Sequence, residues 1–384
     1  MTMPIDLTFT GARWLSPQGL RGGPLAISGG LVGAAAGGRP VDVSGKLILP
    51  GIVDLHGDGF ERHLAPRRGA MTDLAAGLVS AEAELAANGI TTAVLAQFYS
   101  WEGGLRSPEF ARRMLAALAR VRPQLDTDLQ VQLRLETHMI DDFRTVLGLL
   151  AEHDIRYVAF NDHLPHDRLA SGRAIPRLTG TALKSGRSPE AHLALMQALH
   201  ARSAEVPAAL DAVCADLRRR DIRYASHDDA SAEDRAIWAA RGAAISEFPE
   251  TREAAQAARD RGQPVVLGAP NVVRGASHKG KVSARALVED GLCTALASDY
   301  HYPAPRNAVW QLVDLGQRDL AQAWALISSG PAQVLGLTDR GTLAPGQRAD
   351  LVVLDATTRR VEATLCAGIF THLAGETARR LVTA

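Results

Sequence analysis

The sequence predicts an α/β chain whose centre is an eight-stranded parallel barrel, (β/α)8, with a smaller β domain beside it. Three observations predict this. From about Gly51 onward, short apolar runs alternate with amphipathic stretches, and eight such runs can be counted. No GxGxxG follows the first run, so the main support for an open doubly wound sheet is missing. Both chain ends return to short, glycine-punctuated β texture, which lets them pair into one small domain.

The elements follow in order. Residues 1–50 read as β segments, DLTFTGARWL, PLAISGGLVGAA and VDVSGKLILP, divided by the turn-rich GLRGGP and AGGRP. The barrel strands are expected at IVDLH (52–56), TTAVLAQF (91–98), LQVQLRLE (129–136) and RYVAFND (156–162). The other four are IRYASHD (222–228), AAISEF (243–248), PVVLGAP (264–270) and CTALASD (293–299). Helices are expected over 73–88, 109–121, 207–219, 250–261, 284–290 and 318–328, each with an apolar stripe opposite mixed charge. In the first of them Leu74, Leu78, Ala81 and Leu85 share a face, and Gly89 stops the run. The tail from Gly341, GTLAPGQRADLVVLD and then RRVEATLCAGIFTHLAG, is β again. The expected division is 1–50 and 341–384 for the small β domain, and 51–340 for the barrel.

Composition narrows the function class. The 384 residues carry 42 Lys+Arg and 42 Asp+Glu, so the formal net charge is zero, and 46% are hydrophobic, enough for a sizeable core. A zero balance argues against nucleic acid or an anionic membrane as partner, although it hides any local basic pocket. The three cysteines, Cys214, Cys293 and Cys366, form no CxxC pair, which speaks against a disulfide framework or thiolate zinc site. The N-terminus lacks a basic n-region and an apolar h-region. No apolar run approaches the ~18 residues of a membrane span. A cytoplasmic protein is expected, and a homo-oligomer is compatible with all of this.

Polar, metal-competent residues recur where the strands end. His56 and Asp58 close the first, Glu136 and His138 the third, and Asp162 and His163 the fourth. His227, Asp228 and Asp229 close the fifth, Glu247 the sixth and Asp299 the eighth. One such residue is ordinarily a turn former or cap. Six strands of eight ending this way point to a shared site, because barrel active sites assemble at the C-terminal ends of the strands. Imidazoles mixed with carboxylates suit zinc, manganese or iron, and clustered carboxylates need cations to neutralise them. In His56-Gly57-Asp58, alternation along a strand lets both side chains face one ion. Trp101, Glu102 and Arg106 fit a lid loop and a surface loop equally. His192 and His200, eight apart in a helical stretch, are expected to face solvent, and Cys214 and Cys293 to fill core positions.

PGIVDLHGD at the first strand, ALASD at the last and the closing GTLAPGQRADLVVLD resemble the amidohydrolase superfamily, a distorted (β/α)8 TIM barrel. That superfamily carries one or two metals and a small β-sandwich domain built from both chain ends. HGDGFERHLAPR, ANGITTAVLA, ASHDDA, EFPETREAA, LGAPNVVRGASHKG and SDYHYPA resemble its phosphonate-catabolism branch. Enzymes of that branch act as diphosphatases on α-D-ribose 1-methylphosphonate 5-triphosphate in the carbon–phosphorus lyase pathway. The usual pattern of that branch is nearer HTDN, so Gly57 and Gly59 stand where side chains near substrate are expected.

The resemblance implies two divalent transition ions. The first would be held by His56, Asp58 and Asp299. Glu136 would bridge to a second, held by His227 and by either His163 or Glu247. Asp299 would be the catalytic base. A small anionic phosphorylated substrate would need cations, and GAPNVVRGASHKGK offers Arg274, Ser277, His278, Lys279 and Lys281, with glycines that free backbone N–H groups for phosphate. Arg62, His63 and Arg67 add a second cationic group. Expected products are the 5-phosphate and pyrophosphate. The alternative is another reaction of the superfamily, deacylation or purine deamination. A third reading, a binding protein without metal, is disfavoured by retention of His56, Asp58, Glu136, His227 and Asp299.

Overall fold

The computed structural model describes residues 5–33, 37–67, 73–275 and 282–383. Eight parallel strands form one sheet in strict chain order. They are Ile52–Gly57, Ile90–Tyr99, Asp128–Glu136, Tyr157–Asn161, Arg223–His227, Ile245–Glu247, Val265–Gly268 and Ala295–Ala297. A parallel bridge between Gly57 and Asp299 brings the last strand back to the first, so the sheet is a nearly closed barrel. All eight strands fall where expected. Burial on both faces explains their unbroken apolar texture: every residue of Ile90–Tyr99 is buried.

The chain divides into two compact units. The first comprises Met1–Leu95, Arg120–Gln130 and Val266–Ala384. Within it a four-stranded and a six-stranded sheet face each other across one apolar core. Leu7, Phe9, Ile27 and Val41 come from the first sheet, and Ile48, Leu351, Val353 and Leu365 from the second. The chain ends meet where Lys46–Pro50 pairs antiparallel with Leu351–Asp355. The small domain is therefore a sandwich made from both termini. Lys46, with its side chain 2% exposed, holds Asp355 at 2.9 Å, Glu362 at 3.1 Å and Glu376 at 3.2 Å.

The second unit comprises Ala96–Ala119 and Val131–Val265. It carries most of the third to sixth strands and the helices between them. Local chemistry starts several of these helices. Ser188 accepts from Ala191 N–H ahead of Pro189, Ser231 from Asp234 N–H, and Thr251 from Ala254 N–H. Helices between His166 and Ala201 lie between the fourth and fifth strands, and the helical stretch expected around His192 and His200 is Pro189–Ala201. His192 lies within it and is a correction: it is 2% exposed, with its ring 5.6 Å from that of Trp101, because the insert covers the face expected to meet water.

Candidate functional site

In the first unit, the backbone gathers three of the expected ligands. Asp299 N–H donates to the His56 carbonyl at 3.0 Å, and Asp58 N–H donates to the Asp299 carbonyl at 2.9 Å. Asp299 has φ 55°, a left-handed conformation that aspartate tolerates better than bulkier residues. Asp54, unremarked in the sequence, secures this junction: its carboxylate accepts from Ser298 N–H at 2.9 Å and from the Ser298 hydroxyl. Burial pushes the Asp54 carboxyl above its usual range, opposed by Ser298 and His56.

Packing at this junction is sufficient to require glycine at position 57. A Cβ there would lie 2.7 Å from Asp54 Oδ2 and 2.8 Å from Ser298 Oγ, so only glycine fits without rearrangement. A Cβ at Gly59 would meet Arg62 Nη1 at 2.9 Å.

The two expected cationic groups converge on Tyr300, next to Asp299. Arg62 Nη1 donates to the Tyr300 carbonyl at 3.1 Å, and Arg274 Nη2 donates to the Tyr300 hydroxyl at 2.6 Å. Arg274 and Tyr300 are both exposed. Arg62 and His63 also pair with Glu84, so His63 is less available to an anion than expected. Arg67 is exposed. Ser277, His278, Lys279 and Lys281 lie outside the described residues.

The second unit holds the other expected ligands. Glu136 is fully buried at the end of the third strand. It accepts from Trp101 Nε1 at 3.2 Å and from His163 N–H at 3.2 Å, and its Oε1 contacts His163 Nδ1. Glu102 lies 3.5 Å from the same Nδ1 and is paired with Arg106 at 2.8 Å. Ligand atoms of Glu102, Glu136 and His163 all lie within 4.8 Å of one another. Burial alone would lower the His163 pKa, but the Glu136 and Glu102 carboxylates hold it above its usual value. Two carboxylates thus draw positive charge to one point, and this mixed oxygen and nitrogen donor set fits a divalent cation.

Trp101 and Glu102, for which a lid loop and a surface loop fit equally, are direct neighbours of the expected ligands Glu136 and His163. Trp101 is 6% exposed, and its carbonyl accepts from Arg187 Nη1 at 2.8 Å. Gln97, at the head of the loop, donates to the Leu105 carbonyl at 3.1 Å. These bonds tie the loop down as a wall. The one signal in the sequence was a tryptophan and a glutamate together just past a strand end.

His227 accepts from Arg134 Nη2 at 3.1 Å on Nε2, and its Nδ1 lies 3.3 Å from Asp228. Burial, aided by the Arg134 guanidinium, pushes this imidazole down to about 4, so it is neutral at physiological pH, as a ligand must be. Glu247 accepts from Gln132 Nε2 at 2.6 Å and from the Tyr157 hydroxyl, both on Oε1. Asp229 turns away from the strand end, accepting from Ser226 at 2.7 Å and Ser246 at 2.9 Å beside buried Arg235. Asp162 and His138 form a separate group with His166. Asp228 and Phe248, immediately after His227 and Glu247, both take positive φ, so the backbone turns sharply where these ligands are presented.

Residues 83–369 match the model of the amidohydrolase family. The chain belongs to the amidohydrolase family. It is 33% identical over 325 residues to alpha-D-ribose 1-methylphosphonate 5-triphosphate diphosphatase of Escherichia coli (strain K12), covering 82% of this chain and 84% of the relative. Among solved structures, a putative prolidase from Bifidobacterium longum aligns with a TM-score of 0.62 at 14% identity, over 100% of this chain and 99% of that one. An N-acyl-D-glutamate deacylase from Bordetella bronchiseptica, complexed with zinc and a phosphonate inhibitor, aligns with a TM-score of 0.59 at 15% identity, over 96% of each chain. At those identities the structures speak for the fold of this amidohydrolase alone. Family membership makes it a hydrolase, and members of the superfamily typically bind divalent metal. Among the described residues, no helix is long and apolar enough to cross a membrane.

Proposed function

We propose that this hydrolase cleaves α-D-ribose 1-methylphosphonate 5-triphosphate, or a close phosphonate analogue, to the 5-phosphate and pyrophosphate. The observation that carries this reading is the 33% identity to a diphosphatase of that substrate, spread over more than four-fifths of both chains. The paired guanidiniums support it. Arg62 contacts the Tyr300 carbonyl and Arg274 its hydroxyl, beside Asp299, where an anionic chain can be bound.

In this reading His56, Asp58 and Asp299 would hold one divalent cation, while Glu136, His227 and His163 or Glu247 would hold a second. Zinc, manganese and iron all suit the donor set. Bound there, the cations supply a water of lowered pKa near neutral pH. Asp299 would accept a proton from the attacking water and return one to the leaving pyrophosphate. Glu136 is kept in place by Trp101 and His163, so its carboxylate faces the site without thermal searching. Arg274 and Arg62 orient the phosphate chain so that the phosphorus nearest the ribose is presented for attack. Tyr300 spaces the two guanidiniums.

The test compares this triphosphate with an N-acyl amino acid and a purine nucleoside as substrates of the purified chain. Turnover of the triphosphate alone is expected, and Arg274→Ala should raise its KM by about 10-fold with little change in kcat. Preferred deacylation or deamination would replace this reading with the alternative.

A further inference from the structure

A second group of imidazoles stands outside the ligands used above. His138 follows the third strand, Asp162 and His166 follow the fourth, and His200 and Ser203 lie at the end of the Pro189–Ala201 helix. His166 Nε2 lies 3.0 Å from Asp162 Oδ2, and His138 Nδ1 lies 3.7 Å from the same oxygen. The three ligand atoms fall within 4.8 Å of one another. A tetrahedral ion with bonds of about 2.0–2.1 Å spaces its ligands by about 3.3 Å, which lies between these two edges.

The hydrogen bonds around the group determine which nitrogens are free to bind. The Ser203 hydroxyl donates to the His200 carbonyl at 2.7 Å, so toward His138 Nε2, at 3.1 Å, it accepts. His138 therefore carries its proton on Nε2 and turns the lone pair of Nδ1 toward the Asp162 carboxylate. The Nδ1 lone pair and the Asp162 carboxylate, which also accepts from Leu164 N–H at 3.2 Å, together present two acceptors to one ion. The Thr137 hydroxyl, 3.1 Å from Nδ1, is the group such an ion displaces. His166 has the matching arrangement: its Nδ1 lies 2.8 Å from His200 Nδ1, which anchors the ring while Nε2 faces Asp162. Each imidazole thus has one nitrogen at the common point and the other held by an outer neighbour, the arrangement that orients metal-binding histidines.

We propose that His138, Asp162 and His166 form a further site for a divalent transition ion, supported from behind by His200 and Ser203. Two imidazoles and one carboxylate leave coordination positions open to water, since Asp162 and His166 are 40% and 34% exposed. The ion ties the helical insert to the ends of the third and fourth strands.

The experiment titrates the metal-free full chain with Co2+, reading bound equivalents by equilibrium dialysis and visible d–d absorption. The wild type should bind one equivalent more than His166→Ala, and Asp162→Asn, which preserves shape, should repeat that loss. His200→Gln and Ser203→Ala should weaken the same equivalent about 10- to 100-fold without abolishing it. Unchanged far-UV circular dichroism shows that the variants are folded. Equal stoichiometry and affinity in the wild type, His166→Ala and Asp162→Asn would overturn the proposal. Glu136→Gln run in parallel reports on the other site: retention of all metal there contradicts the ligand set proposed for hydrolysis and leaves this one standing.

Discussion

Asp299 carries two roles that one substitution separates. Its backbone links Asp58 to His56, and its carboxylate is the proposed base and cation ligand. Asparagine also accepts a positive φ, so Asp299→Asn should keep the junction and remove the proton acceptor. The expected outcome is a fall in kcat of about 100-fold or more with unchanged circular dichroism; near-wild-type turnover would move the base elsewhere. Gly57→Ala tests the opposite kind of constraint. Its new methyl would press on Asp54 and Ser298, and thermal unfolding should show a loss of about 1–3 kcal/mol. At this scale the sequence was legible wherever a residue's role followed from being at a strand end. Asp54, Arg134, Trp101 and Glu102 were not legible in that way. Their importance lies in contacts with residues distant along the chain, as when Trp101 donates to Glu136, 35 positions later.

The eight strands were readable because each is a short apolar run with polar closure, and the parallel barrel buries both of its faces. Of the helical insert between the fourth and fifth strands, only the stretch around His192 and His200 was readable. Its helices His166–Ala170 and Leu178–Lys184 are short, and Gly172, Pro176, Gly186 and Pro189 break any periodicity. It is held by tertiary packing: Trp101, Leu164 and Met196 form a small core of their own with Leu169, Leu178 and Leu199. The pairing of the chain ends was expected from texture, but the buried cation that clamps them was not. Lys46→Met leaves Glu362 buried without its counter-ion and should cost about 3–5 kcal/mol in urea unfolding. The Thr358 N–H and the Lys46 ammonium hold the Asp355 carboxyl well below its usual range. Its stabilisation is therefore complete above about pH 3.9 and lost as pH falls further through the folded value. The variant should show a flatter loss of stability with acid over that interval than the wild type.

Across the whole molecule, equal numbers of acids and bases conceal a local arrangement. Carboxylates and imidazoles gather at the strand ends, while Arg62 and Arg274 meet at Tyr300. Removing divalent metal should abolish turnover and lower the thermal midpoint, since the clustered carboxylates then lose their counter-charge; calorimetry before and after chelation reads this directly. The central claim is hydrolysis between the first and second phosphates with attack at the phosphorus bonded to the ribose. The direct measurement is phosphorus NMR of α-D-ribose 1-methylphosphonate 5-triphosphate turned over in water labelled with heavy oxygen. Pyrophosphate is the expected released product, with the label solely in the 5-phosphate. Orthophosphate as the first product, or label in the pyrophosphate, would contradict it.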